Sequence, residues 1–166
     1  ITPANADAES FIVGPYGANA LVWCSVENSN AHYGAGLALA AAGRDEEAMF
    51  WWRKGALAGD ANCMAALGTA LRHAEDTEAE EWLRRAVYEE QHADAADSLG
   101  RLYEDRGDHP LAHEVWLYGA EALMDGTCMW RLGIICKRER DAAAAEDFFR
   151  RSIAAHSVPA MGMLAS

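Results

Sequence analysis

His109 and His113 stand four residues apart, and that spacing invites metal chemistry. On a helix, positions i and i+4 share a face, and two imidazoles placed there can ligate one cation. No third ligand is identifiable from the sequence, and His109 falls at an expected helix start. The pair therefore reads as surface histidines, and no metal site is assigned. His32, His73, His92 and His156 are scattered. Glu78, Glu80 and Glu81 form a carboxylate cluster, but nothing in the sequence supplies the apolar pocket that would make one of them an acid and another a base. They read as a solvated helix face. The nucleophile elbow, the P-loop, the dinucleotide fingerprint and the zincin motif do not occur. Catalytic residues and cofactors are accordingly not expected, and the chain does not read as an enzyme.

Composition narrows the fold. About half of the 166 residues are apolar, alanine is abundant, and there are 4 prolines. Alternating valine and isoleucine patterns are missing, which favours an all-helical chain. No apolar run reaches the ~18 residues that a membrane span needs. The cysteines Cys24, Cys63, Cys128 and Cys136 form no CxxC pair and do not recur at one place in a repeat. Reduced, buried thiols in a cytoplasmic protein are the simplest reading. Cys128 and Cys136, two helical turns apart, are expected on one core seam.

The net charge of −12 is concentrated in the middle of the chain: residues 75–125 hold 15 acidic and 4 basic residues. Nucleic acid and anionic membranes are disfavoured partners, because phosphate binding needs clustered Lys and Arg. The acidic stretch serves either as a solubilising outer face or as a surface that steers a basic partner.

The elements that would position these residues come from a repeat. Gly36, Gly68, Gly100, Gly133 and Ala165 are spaced by 32, 32, 33 and 32 residues, with Leu67, Leu99, Leu132 and Leu164 before the last four. Ala48, Ala79, Ala112 and Ala145 run in phase with them. A period near 33 marks a helical array in which each unit is a pair of antiparallel helices, A then B. Helices are expected over 31–42 and 45–58, 61–72 and 76–90, 93–106 and 109–123, and 126–138 and 141–155, with a last helix over 157–165. Asp60, Asp125, Asp141 and Ser157 fall at N-cap positions. Pro110 sits in the first turn of its helix. Gly43 and Gly107 occupy A-to-B turns, with Arg140 in the same slot of the fourth unit. The small columns let helices A and B approach closely. Trp52, Leu83, Trp116 and Phe149 fill one equivalent slot beside them, and Trp51, Trp82, Val115 and Phe148 the preceding one.

The run Trp51-Trp52-Arg53-Lys54-Gly55-Ala56, then Gly59-Asp60-Ala61 and Leu67-Gly68, resembles the Sel1-like repeat signature. The interval from Ala48 to Gly68 is 20 residues, as in that family, whereas Ala79 to Gly100 and Ala112 to Gly133 are 21. The later units, with Leu99-Gly100, Tyr103, Gly107, Ala112 and Trp116, are closer to tetratricopeptide (TPR) repeats. The second unit departs most, with Ala74 in place of the turn glycine. The resemblance implies a right-handed α-solenoid over 31–166, built of units 31–60, 61–92, 93–125 and 126–156 and a partial unit 157–166. It further implies a non-enzymatic scaffold for protein interaction.

In such solenoids helix A lines the concave side, and its outward positions are free to meet a partner. By repeat phase these are Tyr33 and Leu37 in the first unit, and Asn62, Thr69 and Arg72 in the second. The third supplies Asp94, Asp97, Arg101 and Glu104, and the fourth Trp130, Ile134 and Lys137. Trp130 beside Ile134 forms either an exposed apolar anchor or a packing surface under the last helix. The acids of the third unit argue against a clamp for a terminal carboxylate and favour a protein or peptide carrying basic and apolar groups. Residues 1–30 lie outside the period. Ala20–Val26 reads as a degraded helix B capping the first unit, and a rival reading makes 1–30 the tail of an upstream domain. The start at Ile1 and the end within a fifth unit suggest a fragment. The alternative function is therefore an accessory or self-association domain of a larger enzyme or regulator, monomeric or weakly oligomeric through the terminal repeat.

Overall fold

The computed structural model describes residues 29–74 and 77–155. The expected helix over 157–165, the capping helix over 20–26, Cys24, His156 and Ser157 lie outside the described residues. The described residues form eight α-helices, with no strand among them. They are α1 (Ser29–Ala41), α2 (Asp45–Leu57), α3 (Ala61–His73), α4 (Ala79–Arg84), α5 (Ala93–Asp105), α6 (His109–Glu121), α7 (Gly126–Arg138) and α8 (Ala142–Ala154). Odd-numbered helices are the A helices of the repeat and even-numbered ones the B helices. The chain divides into two units, Ile1–Cys63 and Met64–Ser166.

Within the first unit, α1 packs on α2. Trp52 lies so close to Gly36 that a Cβ there would overlap the indole, and the indole Nε1 donates to the Tyr33 carbonyl at 3.4 Å. The same contact recurs in the second unit: Gly68 faces Leu83, Gly100 faces Trp116, and Gly133 faces Phe149. Ala48, Ala79, Ala112 and Ala145 are buried beside these contacts. The expected small columns are therefore the surfaces where helices A and B of each unit approach.

A second seam was not anticipated. Gly55 on α2 meets the Cys63 side chain, and Gly119 on α6 meets Cys128 in the same way. These contacts join a helix B to the helix A that follows it. The matching slots on α4 and α8 hold Ala86, just beyond Arg84, and Ser152, whose hydroxyl donates to the Gly126 carbonyl at 2.6 Å. Cys63 and Cys128 are buried free thiols, so a small soft side chain fills the space that the glycine leaves. Burial, with Asp60 beside it, pushes the Cys63 thiol up to about 12, and Cys128 is shifted in the same direction by burial. Neither sulfur is a nucleophile. Cys136, expected on the same seam as Cys128, is only half-buried.

The turns explain the change in repeat spacing. At the A-to-B turns Gly43, Gly107 and Arg140 adopt φ of 73°, 79° and 67°, and each is followed by a six-to-one bond: Arg44 N to Leu39 O, Asp108 N to Tyr103 O, and Asp141 N to Cys136 O. At the B-to-A junctions the first unit closes Asp60 N onto Gly55 O, five residues back, through Gly59. The next two close His92 N onto Ala86 O and Asp125 N onto Gly119 O, six residues back, through the non-glycine residues Gln91 and Met124 at φ 53° and 54°. That added junction residue is the difference between the 20- and 21-residue intervals. In the second repeat it is absorbed by a π-turn at Arg85–Glu89, so the helix expected over 76–90 is observed as α4 followed by that turn. Asp60, Asp125 and Asp141 cap their helices as expected, each accepting a backbone N–H of the first turn.

Two consequences are measurable. Gly100→Leu should lower stability by about 1–3 kcal/mol through overpacking against Trp116. Gly34→Ala, two residues from a crowded glycine but facing open space, should raise it by about 0.5–1 kcal/mol. Urea denaturation of both variants checks the pair. Arg140→Gly relieves a left-handed residue with a side chain and is expected to add about 1 kcal/mol, read as a higher urea midpoint with an unchanged slope.

Candidate interaction face

The second unit presents the outward faces of α3 (from Met64), α5 and α7, the three A helices that hold most of the sequence-expected site. Polar bonds run between successive A helices. The Thr69 hydroxyl donates to Ser98 at 2.9 Å. Arg72, whose side chain is only 6% exposed, donates from Nη1 to Asp105 at 2.7 Å. Arg131 Nε donates to Asp97 at 2.7 Å, and its guanidinium lies 5.2 Å from the centre of the Trp130 ring and 5.9 Å from that of Trp116. Thr69, Arg72 and Asp97 thus spend their polar groups on neighbouring helices and form the floor of the face.

Other expected positions stay outward. Asp94 and Lys137 are exposed, while Arg101, Glu104, Trp130 and Ile134 are half-buried. Neither Arg101 nor Lys137 forms an ion pair among the described residues. Trp130 is therefore half-buried, with the Arg131 guanidinium over its ring and its indole N–H enclosed. In the first unit Tyr33 is half-buried, Leu37 is 47% exposed, and Asn62 is exposed.

Electrostatics differ along the second unit. Burial alone would raise Glu80, but the Tyr103 hydroxyl donates to it at 2.8 Å and Arg106 at 2.6 Å, and the balance holds its carboxyl below the usual range. Arg84 in turn donates to the Tyr103 oxygen at 3.2 Å. The carboxylate cluster read as solvent-facing thus contributes one member, Glu80, to a buried-edge network, while Glu78 and Glu81 are exposed. At the start of α7, burial raises the Asp125 carboxyl, against the pull of its bonds from Cys128 and Thr127 and with Asp94 adding repulsion.

Ser98, Asp105 and Arg131 were missed as participants. Their partners lie 29 to 34 residues earlier, about one repeat back; opposite charges at that spacing could have hinted at Asp105 and Arg131, and no signal marked Ser98. Among the described residues no group of three His, Cys, Asp or Glu side chains is gathered to hold a metal ion. No helix there is long and apolar enough to cross a membrane.

Fold and face together define a helical-repeat protein of TPR-like build. Two crystal structures of MamA are similar to it. One shares 19% identity over 86% of this chain and 86% of that chain with a TM-score of 0.62; another shares 20% over 77% and 73% with a TM-score of 0.58. At that identity the likeness establishes the fold. No protein-family model matches the sequence, and no curated protein matches it.

The Glu80 network sets an acid response. A carboxyl lowered by folding contributes stability that is complete above the ordinary glutamate range and is lost as pH falls through its lowered value. Tyr103→Phe removes one of the groups holding Glu80 down. Its acid unfolding limb should start at higher pH than that of the parent, as followed by circular dichroism; superimposable limbs would contradict the assignment.

Proposed function

We propose that this chain is a non-enzymatic interaction scaffold that binds a protein or peptide segment across its helix-A face, the concave side in the solenoid reading. The observation that carries the proposal is the division of labour on that face. Thr69, Arg72 and Asp97 are tied to neighbouring helices, which makes the floor rigid. Arg101, Trp130, Ile134 and Lys137 remain at its surface with side chains of the kinds that anchor interfaces. A preorganised floor lowers the ordering cost of binding.

Asp94 and Glu104 on the same face, in a stretch rich in acid, suit a segment that carries basic as well as apolar groups. Tyr33, Leu37 and Asn62 are the corresponding candidates of the first unit. Reduced thiols, with Cys63 and Cys128 buried, fit a cytoplasmic setting. The MamA likeness supports a repeat scaffold through its fold.

Partner capture on the purified chain, followed by affinity measurement with the captured segment, tests the assignment. The combined variant Arg101→Ala with Trp130→Ala is expected to lose about 2 kcal/mol or more of binding free energy while retaining its helical spectrum. Unchanged affinity in that variant would remove the helix-A face from the account.

A further inference from the structure

Two surfaces that take no part in the helix-A face match each other in chemistry. The first is a stripe on α2. Phe50, Lys54 and Leu57 follow at i, i+4 and i+7 and share one side of that helix. Phe50 is 63% exposed and Leu57 72%, so neither is buried within its own chain. Phe50 stands edge-on to Trp51 with ring centres 5.8 Å apart, and the Lys54 ammonium lies 5.2 Å from the centre of that Trp51 ring. Lys54 forms no ion pair among the described residues. The second surface is a cavity of about 290 Å³ on the helix-B side of the second unit. Arg84 and Tyr88 line it from α4 and the π-turn, Tyr103 from α5, and Leu111, Glu114 and Val115 from α6. Tyr103 and Val115 are buried and form its floor, while Tyr88 and Leu111 are exposed at its mouth. Arg84 is already engaged: it donates to the Tyr103 oxygen, lies over the Tyr88 ring at 5.5 Å, and has Glu80 to balance its charge. Glu114 is exposed and forms no ion pair among the described residues.

We propose that this groove receives the Phe50–Leu57 stripe of a second copy of the chain, with Lys54 meeting Glu114 at the rim. The groove asks for an apolar side chain with a cation beside it, and α2 presents that combination on its open side. Charge selects this pairing over the simpler one. If two α2 stripes packed antiparallel about a two-fold axis, Lys54, at the middle of the stripe, would face Lys54, and like charges oppose such a contact. Stripe against groove replaces that repulsion with an ion pair. One cavity and one rim pair form a small contact, so the association is weak and depends on concentration and salt.

Sedimentation velocity of the untagged full chain over a concentration series tests the contact. The weight-average mass is expected to rise with concentration. Leu57→Asp on the stripe and Leu111→Asp in the groove change exposed side chains, and each should weaken association more than about tenfold with unchanged circular dichroism. Mixed in equal amounts, these two variants should associate where neither does alone, because one keeps its groove and the other its stripe. Lys54→Glu and Glu114→Lys should each weaken association several-fold, and both changes in one chain should restore it. A monomer mass at every concentration overturns the proposal. So does a mixture as monomeric as its parts, association indifferent to Leu111→Asp, or a charge reversal that the combined variant does not rescue. Arg101 and Trp130 belong to neither surface, so this contact and partner binding on the helix-A face fail independently.

Discussion

The close approach of helices A and B at a side-chain-free position is the constraint on which everything else depends. Gly36, Gly100 and Gly133 each lie against the ring of an aromatic residue 16 residues later, and Gly68 lies against Leu83 in the same slot. An aromatic ring buries more apolar surface than any other side chain of comparable stiffness, and it finds room here because the opposing helix presents no Cβ. The second seam applies the same device between a helix B and the start of the next helix A, with Gly55 against the Cys63 thiol inside the first unit and Gly119 against that of Cys128 inside the second. Burial along these seams holds α1 to α2 in the first unit, and α5 to α6 and α6 to α7 in the second. On α5 and α7 this leaves Asp94 and Lys137 exposed and Arg101, Trp130 and Ile134 only half-buried.

That exposure explains how one scaffold holds both a rigid and an adaptable layer. Arg72 is almost fully buried yet charged, and its cost is offset by Asp105 on the next A helix. Arg131 pairs with Asp97 while its planar guanidinium lies near the rings of both Trp116 and Trp130, a set of contacts that a lysine could not reproduce. These contacts fix the register of successive A helices. The residues that remain outward, Arg101, Trp130, Ile134 and Lys137, are then presented on a floor held by these bonds.

Much of this architecture was legible from the sequence, for a physical reason. Helix limits followed from local chemistry: Asp60, Asp125 and Asp141 cap, Pro110 opens α6, and Gly43 and Gly107 close α1 and α5 in the left-handed region. Repeat phase then placed every aromatic of the Trp52, Trp116 and Phe149 slot against its glycine. The π-turn at Arg85–Glu89 was not legible, because the spacing showed an extra residue without showing where the backbone would absorb it. The face was half legible. Phase identified which positions point outward, but the bonds that tie down Thr69, Arg72 and Asp97 come from a neighbouring repeat. Side-chain reach across helices is not encoded in spacing alone. The cysteines were correctly read as buried at Cys63 and Cys128, although their glycine partners went unnoticed.

A double-mutant cycle between Gly100 and Trp116 tests the governing contact most directly. Gly100→Ala, Trp116→Leu and the combined variant are compared by urea denaturation. If the missing Cβ exists to admit the indole, the alanine costs much less once the indole is gone, with a coupling of about 1 kcal/mol or more between the two sites. Strict additivity, with Gly100→Ala equally costly in both backgrounds, would contradict the account.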